Sequence, residues 1–234
     1  MTADIAAILA IDGIATGAVY ALVAIGTVLI FTVTRVIFIP FGDIAAFTAL
    51  TLAALDAKQL PGTVGLVVVL ACMASAMEVT SLARAGELRA VPKAVLGYLV
   101  LPLIVVGIVW LTMRFNPPMP VRIVLALLLI MPVAPLLDRI VFRPIADASV
   151  LLLLTVSVAL HFALVGLGLL FFGPEGVRTE PLTSMSIEIA GVHVSGQTVL
   201  ILAAALVFSG LLFLFFDFTL FPLGLQSRRA SVFI

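Results

Sequence analysis

Polar residues are so widely spaced along this chain that they mark off seven continuous apolar stretches, at 14–33, 44–55, 64–82, 94–112, 123–137, 149–172 and 199–216. A helix needs roughly 20 apolar residues to cross a bilayer. A membrane β-strand instead alternates polar and apolar over about ten positions. These runs are apolar without alternation, so the pattern predicts an all-α, polytopic transmembrane bundle of about seven segments in one domain, 1–234. The first stretch could begin as early as Ile5, interrupted by Asp12 and Gly13. The second has only about 12 strongly apolar residues. It is short for a full span and reads as tilted, broken or re-entrant. Between the sixth and seventh stretches, alternation on either side of Ala190 and Gly191 predicts a small external β-hairpin near 186–195. Receiving a partner or substrate and merely connecting two helices are equally open readings of that loop.

Composition removes the soluble alternative. Hydrophobic residues make up 64% of the chain and charged residues 10%, with a mean hydropathy of +1.37. A water-soluble domain needs a polar exterior that this composition does not supply. Twelve basic residues balance twelve acidic ones, so no nucleic-acid partner is expected. Cys72 is the single cysteine and forms no internal disulfide; within its apolar run it reads as a buried, inert thiol. The N-terminus lacks the basic region of a signal peptide and its first apolar run is too long for one, so that run is expected to remain as a membrane helix.

Sidedness comes from the basic residues of the short loops. With the N-terminus outside and seven crossings, the inside holds Arg35, Arg84, Arg89, Lys93, Arg139, Arg143, Arg228 and Arg229, against Lys58, Arg114, Arg122 and Arg178 outside. This bias predicts an N-out, C-in orientation.

Chemistry is sparse. There is no phosphate-binding GxxxxGK[ST] run, and the two histidines, His161 and His193, are far apart. No metal-ligand set, cofactor site or catalytic triad can be assembled, so the chain is not expected to be an enzyme. Gly13, Gly17 and Ala21 recur every four residues and read first as a helix-packing face, with a substrate path as the alternative. Pro40 and Gly42 interrupt the backbone before the second stretch, and Asp43 is placed to cap a helix beginning at Ile44. A helix begun inside the membrane aims its positive dipole end at whatever occupies the cavity. Glu78 is the ionisable residue deepest in an apolar run and reads as snorkelling to the interface. His161, near Thr155 and Ser157 in the sixth stretch, reads as an interhelical hydrogen-bonding residue before a substrate contact.

Three segments together resemble the permease subunits of branched-chain amino acid ABC transporters. Gly13, Gly17, Tyr20, Ala21, Leu22, Ala24 and Gly26 fit that family's first-helix pattern NGxxxGxxYALxAxG. Phe38, Gly42 and Asp43 fit its INFAHG[DE] turn, although the usual asparagine and histidine are replaced by apolar residues, the histidine by Phe41. Asp138, Arg139, Arg143, Pro144 and Ile145 resemble its ERxxxRPL element. An apolar helix, the Gly173-Pro174 turn and the segment from Thr219 to Gly224 follow in the family's order. The resemblance covers roughly 5–56 and 123–229.

It implies a membrane-spanning subunit of an importer in a bacterial-type inner membrane, multi-pass and embedded in lipid. ABC ATPase subunits, a second permease subunit and a periplasmic or extracellular substrate-binding protein are its implied partners. Gly17, Tyr20, Phe41, Gly42, Asp43, Thr155, Ser157 and His161 are the expected substrate-pathway residues. Arg139, Arg143, Arg228 and Arg229 are expected at the cytoplasmic face, against the ATPase or lipid headgroups. Two departures stand out. An insertion near 84–122 lengthens the middle of the chain, and the sequence is expected to be incomplete at its C-terminus relative to the family. The alternative reading is a non-transporting membrane scaffold or a nonfunctional permease remnant.

Overall fold

The structure, a computed structural model, describes residues 3–34, 36–177, 179, 181–183, 185–189 and 192–230, with side chains described for these other than 3, 4, 33, 187–189, 192, 193 and 215–230. Arg35, Arg178, the turn residues Ala190 and Gly191 and the last four residues lie outside that set. The chain divides into two compact units, Ile30–Glu180 and a second made of Met1–Leu29 with Pro181–Ile234.

Among the described residues, six helices are long and apolar enough to cross a membrane. They are α1 (Ala3–Thr34), α3 (Thr63–Ala85), α4 (Leu88–Met113), α5 (Met119–Ile145), α6 (Val150–Phe172) and α7 (Gly196–Ala230), the last through its apolar part Gly196–Leu214. A seventh, α2 (Phe41–Asp56), has 16 residues, about 24 Å at 1.5 Å per residue. That is short of the roughly 30 Å hydrocarbon core. The expected all-helical, polytopic membrane architecture is therefore what the chain adopts, with the second stretch as its short element. Between α3 and α5 the chain contributes one long helix, α4.

Helix boundaries follow local chemistry. Gly86 (φ +75°) ends α3, and its N–H and that of Glu87 return to the carbonyls of Ala83 and Leu82. Ser149 caps α6 by accepting from the Leu152 N–H at 3.3 Å. Both π turns, Leu96–Val100 in α4 and Asp138–Phe142 in α5, lie just before a proline. Pro102 and Pro144 cannot donate a helical hydrogen bond, and the preceding turn widens to five-residue bonding instead.

Within Ile30–Glu180 the core is formed by Leu55 of α2, Val67 and Ala71 of α3, Val109 of α4, Leu129 and Leu136 of α5, and Leu164 of α6. The C-terminal end of α2 is fastened twice. Thr51 Oγ1 donates to the Phe47 carbonyl at 2.6 Å, so it accepts from Thr63 Oγ1, also at 2.6 Å and fully buried. Asp56 pairs with Arg122 at the start of α5, whose Nε also donates to the Pro117 carbonyl. Cys72 departs from expectation: it is exposed on α3. A continuous apolar run does not distinguish a core-facing position from a lipid-facing one.

In the other unit, strands β1 (Ser186–Ile189) and β2 (Val192–Ser195) pair antiparallel, Ser186 opposite Ser195 and Ile189 opposite Val192. The expected hairpin is present, and β2 runs directly into α7. Gly196 joins them where a Cβ would lie 2.6 Å from the Met185 carbonyl oxygen, and its own N–H donates to that carbonyl at 2.8 Å. A Cβ on Gly13 or Gly17 would meet no atom within 4 Å among the described residues.

Candidate functional site

The site is built where α2 begins. Between α1 and α2 the chain is non-helical from Val36 to Pro40, and the first helical bond of α2 runs from the Ile44 N–H to the Pro40 carbonyl at 3.0 Å. The helix therefore starts at Phe41, earlier than the Ile44 start read from sequence. Asp43 falls inside its first turn and makes no capping bond. Its carboxylate instead reaches α6, where His161 Nδ1 lies 2.8 Å from Oδ2 and 2.9 Å from Oδ1. Facing an ionised carboxylate, which can only accept, the His161 Nδ1 acts as the donor in the tautomer that carries its proton there. The positive end of the α2 dipole adds to the stabilisation of the Asp43 charge.

The depth of this pair follows from helix geometry. His161 is the central residue of Val150–Phe172, about 16 Å from either end at 1.5 Å per residue. One turn earlier on α6, the buried Ser157 Oγ accepts the Ile39 N–H at 2.9 Å. Non-helical backbone inside a bilayer survives only where protein groups satisfy it, since no water is available. Ser157 serves that purpose for the segment leading into α2. The two contacts share one stagger, Ile39 with Ser157 and Asp43 with His161, so α2 runs parallel to α6.

Asp43 terminates an apolar groove of about 190 Å³ between α2 and α6, which extends past Phe47, Leu50 and Leu164 to Gly173. Phe47 and Phe172 meet edge to face at its far end, centroids 6.0 Å apart. Asp43 is mostly buried, with 12% of its side chain exposed, whereas His161 keeps 35% exposed. A carboxylate and an imidazole at mid-depth in apolar walls can hold a polar or cationic group. They form no nucleophile–base set.

The remaining expected pathway residues are dispersed. Phe41 packs against the cluster of Phe38, Phe142 and Leu153. Gly42 is exposed, and Thr155 turns its hydroxyl back to the Leu151 carbonyl at 2.9 Å. Gly17 and Tyr20 belong to the other unit, where Tyr20 is 71% exposed.

Of the four arginines expected at the cytoplasmic face, Arg139 is buried, and its Nε donates to Glu78 on α3. Glu78 is thus paired inside the bundle in place of the snorkelling read from sequence, because the π turn in α5 brings a guanidinium to it. The signal available in sequence was two opposite charges near one end of two stretches, Glu78 within 64–82 and Arg139 just past 123–137. Arg143 is exposed, with Nε 3.5 Å from Asp138. The side chains of Arg228 and Arg229 lie outside the described residues.

Among the described residues no buried side-chain nitrogen or oxygen lacks a hydrogen-bond partner, and no three His, Cys, Asp or Glu side chains cluster as metal ligands do. Compared with family models, curated proteins and solved structures, the chain has no match.

Proposed function

We propose that this multi-pass helical membrane protein is the permease subunit of an ABC importer for branched-chain or related amino acids, and that it forms part of the translocation pathway. The observation that supports this reading is the Asp43–His161 contact at mid-depth, at the start of a short helix that begins inside the bundle. The segment carrying Asp43 is the one that resembles the family's turn after the first helix. Unwound backbone and a half-helix N-terminus near the bilayer midplane are the means by which many transporters handle polar substrates in an apolar medium. Here the groove between α2 and α6 supplies apolar walls, and Asp43 with His161 supplies the polar contact. The chain contributes a pathway and no bond-making chemistry; ATP hydrolysis belongs to partner ATPase subunits. A second permease and a substrate-binding protein complete the assembly, in a bacterial-type inner membrane.

The test is capture of the tagged full chain from its native membranes in mild detergent, with mass spectrometry of the proteins that accompany it. An ATP-hydrolysing subunit and a second permease are expected. Recovery of the chain alone, under conditions that keep a related importer intact, would overturn the proposal in favour of a non-transporting membrane protein.

A further inference from the structure

At the end of the bundle opposite the Thr51–Thr63 and Asp56–Arg122 contacts, α3 and α5 enclose a cleft of about 430 Å³ lined by Arg84, Arg139 and Arg143 with Thr80, Ser81 and Met77. We propose that this cleft binds the phosphate of an anionic lipid headgroup.

Its depth, charge and size each favour that ligand. Arg84 lies in the last turn of α3, two residues before the glycine that ends the helix, and Arg143 closes the π turn at the end of α5. Both ends of these membrane-competent helices reach the boundary where headgroup phosphates lie. The cleft holds three guanidinium groups. Glu78 neutralises Arg139, whose Nε it accepts, and so pins that side chain as the floor of the cleft. Asp138 lies 3.5 Å from Arg143 with both side chains more than half exposed, an arrangement that contributes little. Among the described residues Arg84 makes no ion pair. Three cations against two anions leave a net positive site, and two exposed guanidinium groups suit the bidentate geometry of a phosphate.

The negative end of the α3 dipole opposes an anion, but the carbonyls of Leu82 and Ala83 are already occupied by the Glu87 and Gly86 N–H groups. The Thr80 hydroxyl donates to the Met77 carbonyl at 3.0 Å, which leaves the exposed Ser81 as the hydroxyl donor for a ligand. The cleft is larger than one inorganic ion needs, and Met77 adds apolar surface for the start of an acyl chain. Basic pockets between membrane helices on the cytoplasmic side hold anionic headgroups by this chemistry. A lipid bound here would tie the ends of α3 and α5 together, whether or not the chain transports.

The experiment uses the full chain, purified and delipidated in detergent. Native mass spectrometry counts retained lipid, and thermal unfolding is followed with added phosphatidylglycerol, phosphatidylcholine or sodium phosphate. Phosphatidylglycerol is expected to be retained and to raise the unfolding temperature, with phosphatidylcholine ineffective. Retention is expected to fall by roughly ten-fold or more in the double variant Arg84→Gln/Arg143→Gln. It should also fall in Ser81→Leu, which fills the cleft while keeping every charge. Arg89→Gln/Lys93→Gln, which removes two cations of the same boundary outside the cleft, should retain lipid as the native chain does. Equal retention by Ser81→Leu, equal binding of phosphatidylcholine, or stabilisation by sodium phosphate without phosphatidylglycerol would each overturn the lipid assignment.

Discussion

His161 Nδ1 lies 2.8 Å from Asp43 Oδ2, a contact between residues 118 apart in sequence and centred on the middle of α6. It brings a carboxylate from the first turn of a helix too short to span to an imidazole at the middle of a membrane-competent helix. Ion-capable groups at that depth are costly unless paired and usually mark a substrate or ion path. The neighbouring Ile39–Ser157 hydrogen bond holds the unwound segment that delivers Asp43 to this position.

Ser157→Ala should therefore destabilise the fold without touching the polar pair directly. The Ile39 N–H would lose the shorter of its two acceptors and keep only the Ile37 carbonyl at 3.2 Å, a loss of about 0.5–1.5 kcal/mol. Thermal unfolding in detergent should show a lower midpoint for Ser157→Ala and a near-native one for Ser157→Thr, which restores a hydroxyl. A native midpoint in the alanine variant would mean that the Ile37 carbonyl alone satisfies the amide.

Glu78 and Arg139 should behave as a coupled unit. Removing either partner leaves an uncompensated charge inside the bundle, and Glu78→Leu or Arg139→Leu alone should cost about 3–5 kcal/mol. The double variant should cost much less than the sum of the two. A double-mutant cycle on unfolding free energy measures this, and additive losses would show that the ion pair does not form in the membrane.

Gly62 lies at the start of α3, where a Cβ would come within 2.5 Å of the Phe171 Cβ on α6. Gly62→Ala should force these helices apart at a cost of about 1–3 kcal/mol. Gly65→Ala, one turn further along with no atom within 4 Å of its Cβ, should be neutral or mildly stabilising because it raises helix propensity. Equal stability of the two variants would contradict the close approach of Gly62 to Phe171.

The helices themselves were legible in the sequence, because lipid demands long continuous apolar runs and nothing else in this chain competes with that signal. The shortness of α2 was legible for the same reason, as was the hairpin, from its alternation. Partners were not. The sequence showed Asp43 beside a break and His161 within an apolar run, but which face of α6 meets α2 depends on packing across many residues. Helix capping was the local explanation for Asp43, and the structure replaces it with a contact on another helix. Glu78 stands out in the sequence as deep and charged, while Arg139 reads there as a cytoplasmic-face contact for the ATPase or lipid headgroups. A π turn in α5 aims that arginine inward, and turn widening before a proline is not a periodicity that an apolar run displays. Cys72 illustrates the same limit: in lipid, core-facing and lipid-facing positions are equally apolar.

The central claim, that Asp43 and His161 act on a transported substrate, is tested most directly by ATP-driven uptake of radiolabelled leucine into proteoliposomes carrying the assembly that copurifies with this chain. Asp43→Ala is predicted to insert and assemble like the native chain while uptake falls by roughly ten-fold or more. Native uptake by a correctly assembled Asp43→Ala variant would contradict the account and leave the Asp43–His161 contact as a structural tie between α2 and α6.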